Sequence, residues 1–109
     1  MKRIYISGPM TGLPRLNFGA FHCAASQLRA LGYDVVNPAE KQSETEELSW
    51  EEYLRQDLRQ MLTCDTIALL PGWEASKGAH LELHVAHRAG MNVVSVAELH
   101  RQELEAMPA

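Results

Sequence analysis

Short β-prone runs alternate with helical patterns along the whole chain. The β-prone runs cover residues 4–6, 33–36, 65–70 and 92–96. After its first residue the third run is continuously apolar, as in strands that are buried on both faces of a parallel sheet. Strands that alternate with helices in this way predict right-handed crossovers and helices on both faces of the sheet. We therefore expect an α/β fold, a small doubly wound parallel sheet of four or five strands, with the first four in the order 2-1-3-4.

Local signals mark where the intervening helices begin and end. Asn17 is a candidate N-cap for a first helix, whose apolar positions repeat at three- and four-residue steps up to Gly32. Ser49 and Glu52 form the S-x-x-E capping box, which predicts the start of a second helix. The other expected segments are a polar, Glu-rich surface loop over 39–48, the body of the second helix over about 50–63, a third helix over about 78–88, and a tail helix over 98–107.

The composition is that of one compact domain, spanning residues 1–109, with 46% hydrophobic and 22% charged residues. Cys23 and Cys64 lack the spacing of a metal or disulfide motif, which indicates a reducing compartment and two buried thiols. The basic residues are scattered and the formal net charge is -4, which argues against nucleic-acid binding. Without a long apolar stretch or a signal-peptide core, the chain is predicted to be cytoplasmic and to make no contact with membranes.

Two carboxylates fall within the apolar faces of predicted helices. On a helical wheel Glu82 lies beside Val85 and Ala86 in the third helix, and Asp57 lies within the apolar stripe of the second. Glu82 is also expected near the N-terminal end of its helix, where the dipole favours the anion. Because burying an unpaired charge is costly, both acids are expected either to be paired or to serve chemistry. The alternatives to a chemical role are a capping or ion-paired glutamate that faces the second helix for Glu82, and a buried polar network with Tyr5 or an arginine for Asp57.

Glycosyl transfer with retention of configuration requires at least two acidic side chains in one crevice. One carboxylate attacks the anomeric carbon, and the other handles the proton of the leaving group. For this chemistry the two carboxyl groups are expected roughly 5 Å apart. Asp57 and Glu82 are therefore predicted to face one crevice, with Tyr5 within hydrogen-bond reach of Glu82.

Two loops follow the strands that are expected at the centre of the sheet, where open α/β sheets bind ligands. After the first strand, Gly8 and Gly12 flank a turn that can bring backbone amides to a ligand. After the third strand, Ser76 and Gly78 lead into a helix N-terminus, which suits a phosphate or a carboxylate; a plain N-cap serine is the alternative. Trp73 in the same loop is a candidate for stacking on a base, or else covers the core or a subunit contact.

Three histidines share one face of the third helix at a spacing that metals can use. These are His80, His84 and His87, with Arg88 beside them. The helical wheel places this face away from Glu82, which favours a solvated polar surface. We therefore predict no metal site and no cofactor.

Three segments of the chain resemble the nucleoside 2-deoxyribosyltransferase superfamily. They are the run Ile4–Gly12, the Arg-Gln-Asp-Leu sequence at 55–58 that precedes Cys-Asp-Thr-Ile-Ala, and the stretch Gly72–Glu82. Within the superfamily the chain is similar to a small phage- and prophage-associated domain of uncharacterised function. It is also similar to the branch that hydrolyses 2′-deoxynucleoside 5′-phosphates. The likeness spans nearly the whole chain.

The resemblance implies roles for individual residues. Glu82, in the pattern Gly-x-x-x-Glu-x-x-x-Ala, matches the nucleophile that attacks the anomeric carbon, and Asp57 matches the aspartate that orients the sugar and protonates the base. Tyr5 matches a tyrosine that contacts nucleophile and sugar, and Ser76 a serine that holds the 5′-phosphate. His84 departs from the glycine that is common at its position. The residues expected to bind substrate are Ser7, Gly8, Met10, Gly12, Trp73, Ser76 and Gly78.

The resulting prediction is an enzyme that cleaves or transfers the N-glycosidic bond of a nucleoside, or of a nucleoside 5′-monophosphate, preferably a 2′-deoxy one. The resemblance also implies a homo-oligomer in which a neighbouring subunit completes the pocket. Two other functions are open. One is a non-catalytic nucleotide-binding or sensing module of phage origin, and the other is an interaction domain in which Asp57 and Glu82 belong to buried ion pairs.

Overall fold

A computed structural model of the protein describes residues 2–40 and 48–106. Within these residues strands and α-helices alternate along the chain, as the sequence predicts. The residues 41–47 of the expected Glu-rich loop, and the last residue of the expected tail helix, lie outside this description. The elements in chain order are β1 (Arg3–Ser7), α1 (Phe18–Ala30), β2 (Asp34–Val36), α2 (Trp50–Met61), β3 (Thr66–Leu69), α3 (Lys77–Arg88), β4 (Asn92–Ser95) and α4 (Val96–Ala106).

The strands form one parallel sheet in the order β2-β1-β3-β4, which confirms the predicted topology. The two central strands are β1 and β3, and their register pairs Tyr5 with Ile67 and Ser7 with Leu69. The chain order reverses between these strands, so their carboxyl ends bound the crevice where such sheets bind ligands.

Side chains from the central strands alternate between two cores, one on each face of the sheet. Ile4 and Ile6 of β1 pack in the larger core, which α1 and α4 cover through residues such as Phe21 and Leu99. Tyr5 lies in the smaller core, with Ile67 and Leu69 of β3, Met61 of α2 and Ala86 of α3. The side of the sheet that carries Tyr5 is therefore the side on which α2 and α3 pack.

Two helix starts were predicted from capping residues, and both helices begin where predicted, but only one of the two side-chain caps forms. At α2 the capping box is confirmed, because Ser49 Oγ accepts from the Glu52 N–H at 3.1 Å and Glu52 Oε1 accepts from the Ser49 N–H at 3.3 Å. At α1, Asn17 occupies the predicted N-cap position, but its side chain makes no capping hydrogen bond. Asn17 is the last of three residues in the left-handed region, with a φ of 59°, and its side-chain amide donates to the Pro9 carbonyl at 3.0 Å instead. This bond ties the loop after β1 to the start of α1.

The prediction of two buried thiols is half right. Cys64 is buried at the end of α2, whereas Cys23 is exposed. Position 23 of α1 lies off the stripe formed by Phe18, Phe21, Ala25 and Leu28, so its side chain faces away from the sheet. Across the described parts of the chain, every helix is too short or too polar to span a lipid bilayer.

Candidate active site

A cavity of about 850 Å³ opens at the carboxyl end of β1, between the loop after that strand, α2 and the start of α3. Its position agrees with the crevice expected from the sheet order. The cavity brings together seven of the residues that the sequence singled out. They are Tyr5, Gly8, Met10, Asp57, Ser76, Gly78 and Glu82.

Glu82 lies at the inner wall of this cavity and is only 6% exposed. The Tyr5 hydroxyl donates to Glu82 Oε2 at 2.6 Å, and Ser7 Oγ donates to Glu82 Oε1 at 2.7 Å. Tyr5 and Ser7 are two positions apart on β1, so both side chains point to the face of the sheet that α3 covers. The predicted contact between Tyr5 and Glu82 is therefore confirmed, and Ser7 adds a second donor.

Hydroxyl groups, rather than a cation, compensate the burial of Glu82. Burial raises the pKa of Glu82, while the hydrogen bonds from Ser7 and Tyr5 lower it. Salt bridges among the described residues all lie elsewhere and involve exposed side chains, so an ion pair does not account for this acid. Glu82 is also the sixth residue of α3, beyond the first turn in which the helix dipole acts most strongly. Direct hydrogen bonds, rather than the helix dipole, therefore stabilise the ionised form of Glu82.

Asp57 projects from α2 into the same cavity and is partly buried. Its pKa is raised to about 7, first because burial disfavours its charged form and second because the charge of Glu82 is close. In the part of the chain that the structure describes, neither an arginine nor a lysine forms a salt bridge with Asp57. An acid with this pKa exchanges a proton near neutral pH, as a general acid or base must do.

Tyr5 completes the group as a donor that stays protonated. Its side chain is fully buried, and its pKa is raised well above the usual value by burial and then by the charges of Glu82 and Asp57. The phenol therefore keeps its proton across the physiological range and holds it towards Glu82. Together the three side chains form a buried carboxylate, a second carboxyl group that titrates near neutrality, and a permanent hydrogen-bond donor.

The start of α3 forms another part of the cavity wall. Ser76 is the N-cap of this helix, and its Oγ accepts from the Ala79 N–H at 3.1 Å. The alternative interpretation of Ser76 as a capping serine is therefore present in the structure. Capping uses the oxygen as an acceptor, so the hydroxyl proton is left to donate to a ligand. Lys77, the first residue of the helix, also lines the cavity and brings a cationic side chain to this part of the wall.

Three residues expected to bind substrate do not line the cavity. Ser7 lies behind Glu82, with 1% exposure, and contacts the carboxylate instead. Gly12 has a φ of +85°, so it serves the turn after β1. Trp73 packs against the smaller core, and its ring lies 5.2 Å from that of His80. Of the alternatives for Trp73, the structure shows the one in which the indole covers the core.

Gly8 does line the cavity, and a close approach of two strands requires its lack of a side chain. A Cβ at this position would lie 2.7 Å from Leu70 Cβ, at the end of β3. Glycine thus lets the loop after β1 run close beside the chain that leaves β3.

Several apolar residues of the cavity wall were missed by the sequence analysis. Trp50, Tyr53 and Leu54 line it from α2, and Leu13 and Leu16 line it from the loop after β1. Trp50 is 44% exposed and is the first residue of α2, directly after the N-cap Ser49. A large aromatic side chain at an exposed helix start was the signal that would have indicated a ligand surface.

The histidines of α3 lie on an exposed face of the helix, as the helical wheel predicts. His80, His84 and His87 are all exposed. Searched over residues 2–40 and 48–106, the structure holds no group of three or more His, Cys, Asp or Glu side chains arranged to bind a metal ion.

Comparison with known proteins identifies the family of the chain but assigns it no activity. Residues 2–95 match the family model described as "Domain of unknown function (DUF4406)". No curated protein matches the sequence. The matched region contains all four strands, α1 to α3 and every residue of the cavity wall described above. The chain belongs to the DUF4406 family of domains of unknown function.

Proposed function

We propose that this protein cleaves or transfers the N-glycosidic bond of a nucleoside or a nucleoside 5′-monophosphate, through a covalent glycosyl intermediate on Glu82. The observation that carries the proposal is the pairing of two unlike acids in one cavity. Glu82 is buried and held by two hydroxyl donors, and Asp57 faces the same space with a pKa near 7. Retaining glycosyl transfer needs these two roles, a nucleophile and a group that exchanges a proton.

In the first step an oxygen of the Glu82 carboxylate attacks the anomeric carbon of the sugar. A C–O bond forms, and the electron pair of the breaking C–N bond leaves with the base. The protonated form of Asp57, which its raised pKa maintains near neutrality, gives its proton to the departing base. Tyr5 holds the attacking carboxylate through its 2.6 Å hydrogen bond.

In the second step an acceptor attacks the same carbon from the side that the base has left. With water as the acceptor the products are a free sugar and the regenerated Glu82 carboxylate, while Asp57 takes up the proton. With a second base as the acceptor, its nitrogen bonds to the anomeric carbon, the bond to Glu82 breaks and Asp57 takes up the N–H proton, so a new nucleoside forms and the reaction is a transfer. Two displacements at one carbon give net retention of configuration.

The cavity walls suit the parts of such a substrate. The side chains of Trp50, Tyr53 and Leu54 offer an aromatic and apolar surface for a base. At another part of the wall, Ser76 and Lys77 offer a hydroxyl, a cation and helix N–H groups for a 5′-phosphate. A volume of about 850 Å³ lies within the range of small-molecule sites.

The deciding experiment incubates the protein with separate 2′-deoxynucleosides, ribonucleosides and their 5′-monophosphates. Chromatography measures the released base, and intact-protein mass spectrometry after rapid acid quenching detects a sugar-sized adduct. We expect base release and an adduct in the wild type, and neither in Glu82→Gln. Ligand binding without base release would favour a non-catalytic nucleotide-binding module. Neither binding nor turnover would favour an interaction domain.

Assembly is a separate part of the proposal. The resemblance to the transferase superfamily implies that a second copy of the chain completes the pocket. Sedimentation equilibrium measures the oligomeric state, and base release at protein concentrations above and below the dissociation point tests whether assembly is needed for activity.

A further inference from the structure

Ser7 combines deep burial with a direct bond to the central carboxylate. Its side chain is 1% exposed, and its Oγ lies 2.7 Å from Glu82 Oε1. It does not line the cavity, so a substrate in the cavity meets Glu82 and not Ser7. The Ser7 hydroxyl therefore contacts the Glu82 carboxylate without facing the cavity.

The two donors to Glu82 are divided between its two oxygens. Tyr5 binds Oε2 and Ser7 binds Oε1, both from the same face of β1. One hydrogen bond alone leaves a carboxylate free to rotate about its last side-chain torsion, whose energy wells are broad. Two bonds to different oxygens fix the plane of the group. Because each carboxylate oxygen has about two lone-pair sites, one site on each oxygen stays available for attack.

We propose that Ser7 is a positioning residue, whose hydroxyl orients the Glu82 carboxylate and keeps it ionised for attack on the anomeric carbon. This inference rests on the proposed function. It replaces the expectation that Ser7 binds substrate directly, because its only side-chain partner among the described residues is Glu82.

Other titratable groups around Glu82 do not perform this role. Asp57 faces the same cavity from α2, and the charge of Glu82 raises its pKa, so Asp57 is an acid that cannot stabilise the ionised form of Glu82. Lys77 lines the same cavity from the start of α3 but forms no salt bridge with Glu82 within the described residues. Cys64 lies in the smaller core beside Tyr5, and burial raises the pKa of its thiol, so it stays neutral. The hydroxyls of Tyr5 and Ser7 are thus the donors that offset the burial of Glu82.

The first test measures Glu82 directly and needs no substrate. Protein labelled with ¹³C at the glutamate side-chain carboxyl carbon is titrated by NMR, and the Glu82 signal is assigned by its loss in Glu82→Gln. In Ser7→Ala we expect the pKa of Glu82 to rise by about one unit, which corresponds to a tenfold change in its ionisation equilibrium. Ser7→Thr retains the hydroxyl and should titrate like the wild type. An unchanged Glu82 titration in Ser7→Ala would overturn the proposal.

A matched control removes a buried hydroxyl on the other face of the sheet. Thr66 is 2% exposed, and its Oγ1 donates to Asp65 Oδ1 at 2.7 Å. Thr66→Val should leave the Glu82 signal where it is in the wild type. If Thr66→Val shifts the pKa of Glu82 as much as Ser7→Ala does, the shift reflects a general disturbance of the sheet. That result would overturn the specific role of Ser7.

The second test separates positioning from substrate binding. We expect Ser7→Ala to lower kcat by about 10- to 100-fold, the range for losing a hydrogen bond to a charged group, with KM within about twofold of the wild type. The acid limb of its pH profile should move upward together with the Glu82 titration. A raised KM with unchanged kcat would overturn the proposal in favour of direct substrate contact. Absence of base release in the wild type would count against the proposed function. The NMR titration needs no activity, so it tests the effect of Ser7 on the ionisation of Glu82 separately.

Discussion

Tyr5 donates a 2.6 Å hydrogen bond to Glu82 across 77 positions of the sequence, and both groups are almost completely removed from water. The bond joins the centre of β1 to the second turn of α3. Because Tyr5 also packs in the smaller core, the position of its hydroxyl is set by the packing of the sheet and not by a flexible loop. The carboxylate at the base of the cavity is thus held by a side chain from a central strand of the sheet.

Replacing Glu82 by glutamine is expected to abolish base release and leave the fold intact. The substitution keeps the shape of the side chain, and one of the two partner hydroxyls can turn to accept from the new amide, but the nucleophilic charge is removed. It also removes a buried charge, so the melting temperature should hold or rise. Calorimetry measures the melting temperature, and the base-release assay measures the activity. The matching change Glu74→Gln, at an exposed position, should alter neither. A large fall in melting temperature in a protein whose wild type releases no base would instead identify Glu82 as a structural residue.

Replacing Asp57 by asparagine is expected to remove the alkaline limb of the pH profile. Since the pKa of Asp57 is raised to about 7, its proton-donating form is lost as the pH rises through neutrality, and wild-type activity should fall there. In Asp57→Asn the activity at neutral pH should drop by about 10²- to 10⁴-fold, the usual contribution of general acid catalysis, and vary little above pH 7. The loss of activity in Asp57→Asn should be smallest for substrates whose bases leave without being protonated. An alkaline limb that persists in Asp57→Asn would assign the proton to another group.

The same residue predicts how stability depends on pH. Asp57 has a folded pKa of about 7, against 3.8 for an unperturbed aspartate, so between these values the folded state binds more protons than the unfolded state. Its contribution to the free energy of unfolding therefore falls as the pH rises from about 4 to about 7, and is level above that range. Asparagine does not titrate, so the free energy of unfolding of Asp57→Asn does not include this decrease. The melting temperature of the variant should therefore rise relative to that of the wild type over the same pH range. Thermal unfolding at several pH values measures it, and a constant difference would contradict the raised pKa.

Lys77 is expected to matter for monophosphates and not for nucleosides. It lines the cavity at the start of α3, beside the N-cap Ser76. Lys77→Gln removes one cation and leaves the capping bond in place, so KM for a nucleoside 5′-monophosphate should rise several-fold while KM for the nucleoside stays constant. Arg88→Gln, an exposed change in the last turn of the same helix, is the matched control. Equal wild-type KM values for nucleosides and their monophosphates would show that this end of the cavity does not bind phosphate.

A pair of glycine substitutions tests the close approach of the central strands. In Gly8→Ala the new Cβ would meet Leu70 Cβ at 2.7 Å, so the variant should lose about 1–3 kcal/mol of stability, as in other overpacked sites. Gly19 lies in α1 with open space around it, and Gly19→Ala should gain about 0.5–1 kcal/mol through helix propensity. Urea denaturation measures both changes. A Gly8→Ala variant as stable as the wild type would show that the loop after β1 adjusts freely.

The elements of this fold follow from local patterns in the sequence. The capping box at Ser49 and Glu52, the apolar run of β3 and the helical spacing of apolar residues depend on interactions within a few positions, and all are present in the structure. The strand order follows from the alternation of strands and helices, because few topologies are compatible with it. Asn17 shows the limit of such signals, since the same amide that can cap a helix also bonds to Pro9 across a turn.

The sequence alone also determined that Asp57 and Glu82 lie on the inward faces of their helices, since a helical wheel needs only local spacing. Only the tertiary structure decided what each side chain meets. Ser7 is a small polar residue at a strand end, and its bond to Glu82 spans 75 positions. Trp73 turns to the core and Trp50 to the cavity, although both stand beside a helix start. Partners of this kind depend on how the sheet and helices pack, and long-range packing brings together residues whose spacing along the chain carries no periodic signal.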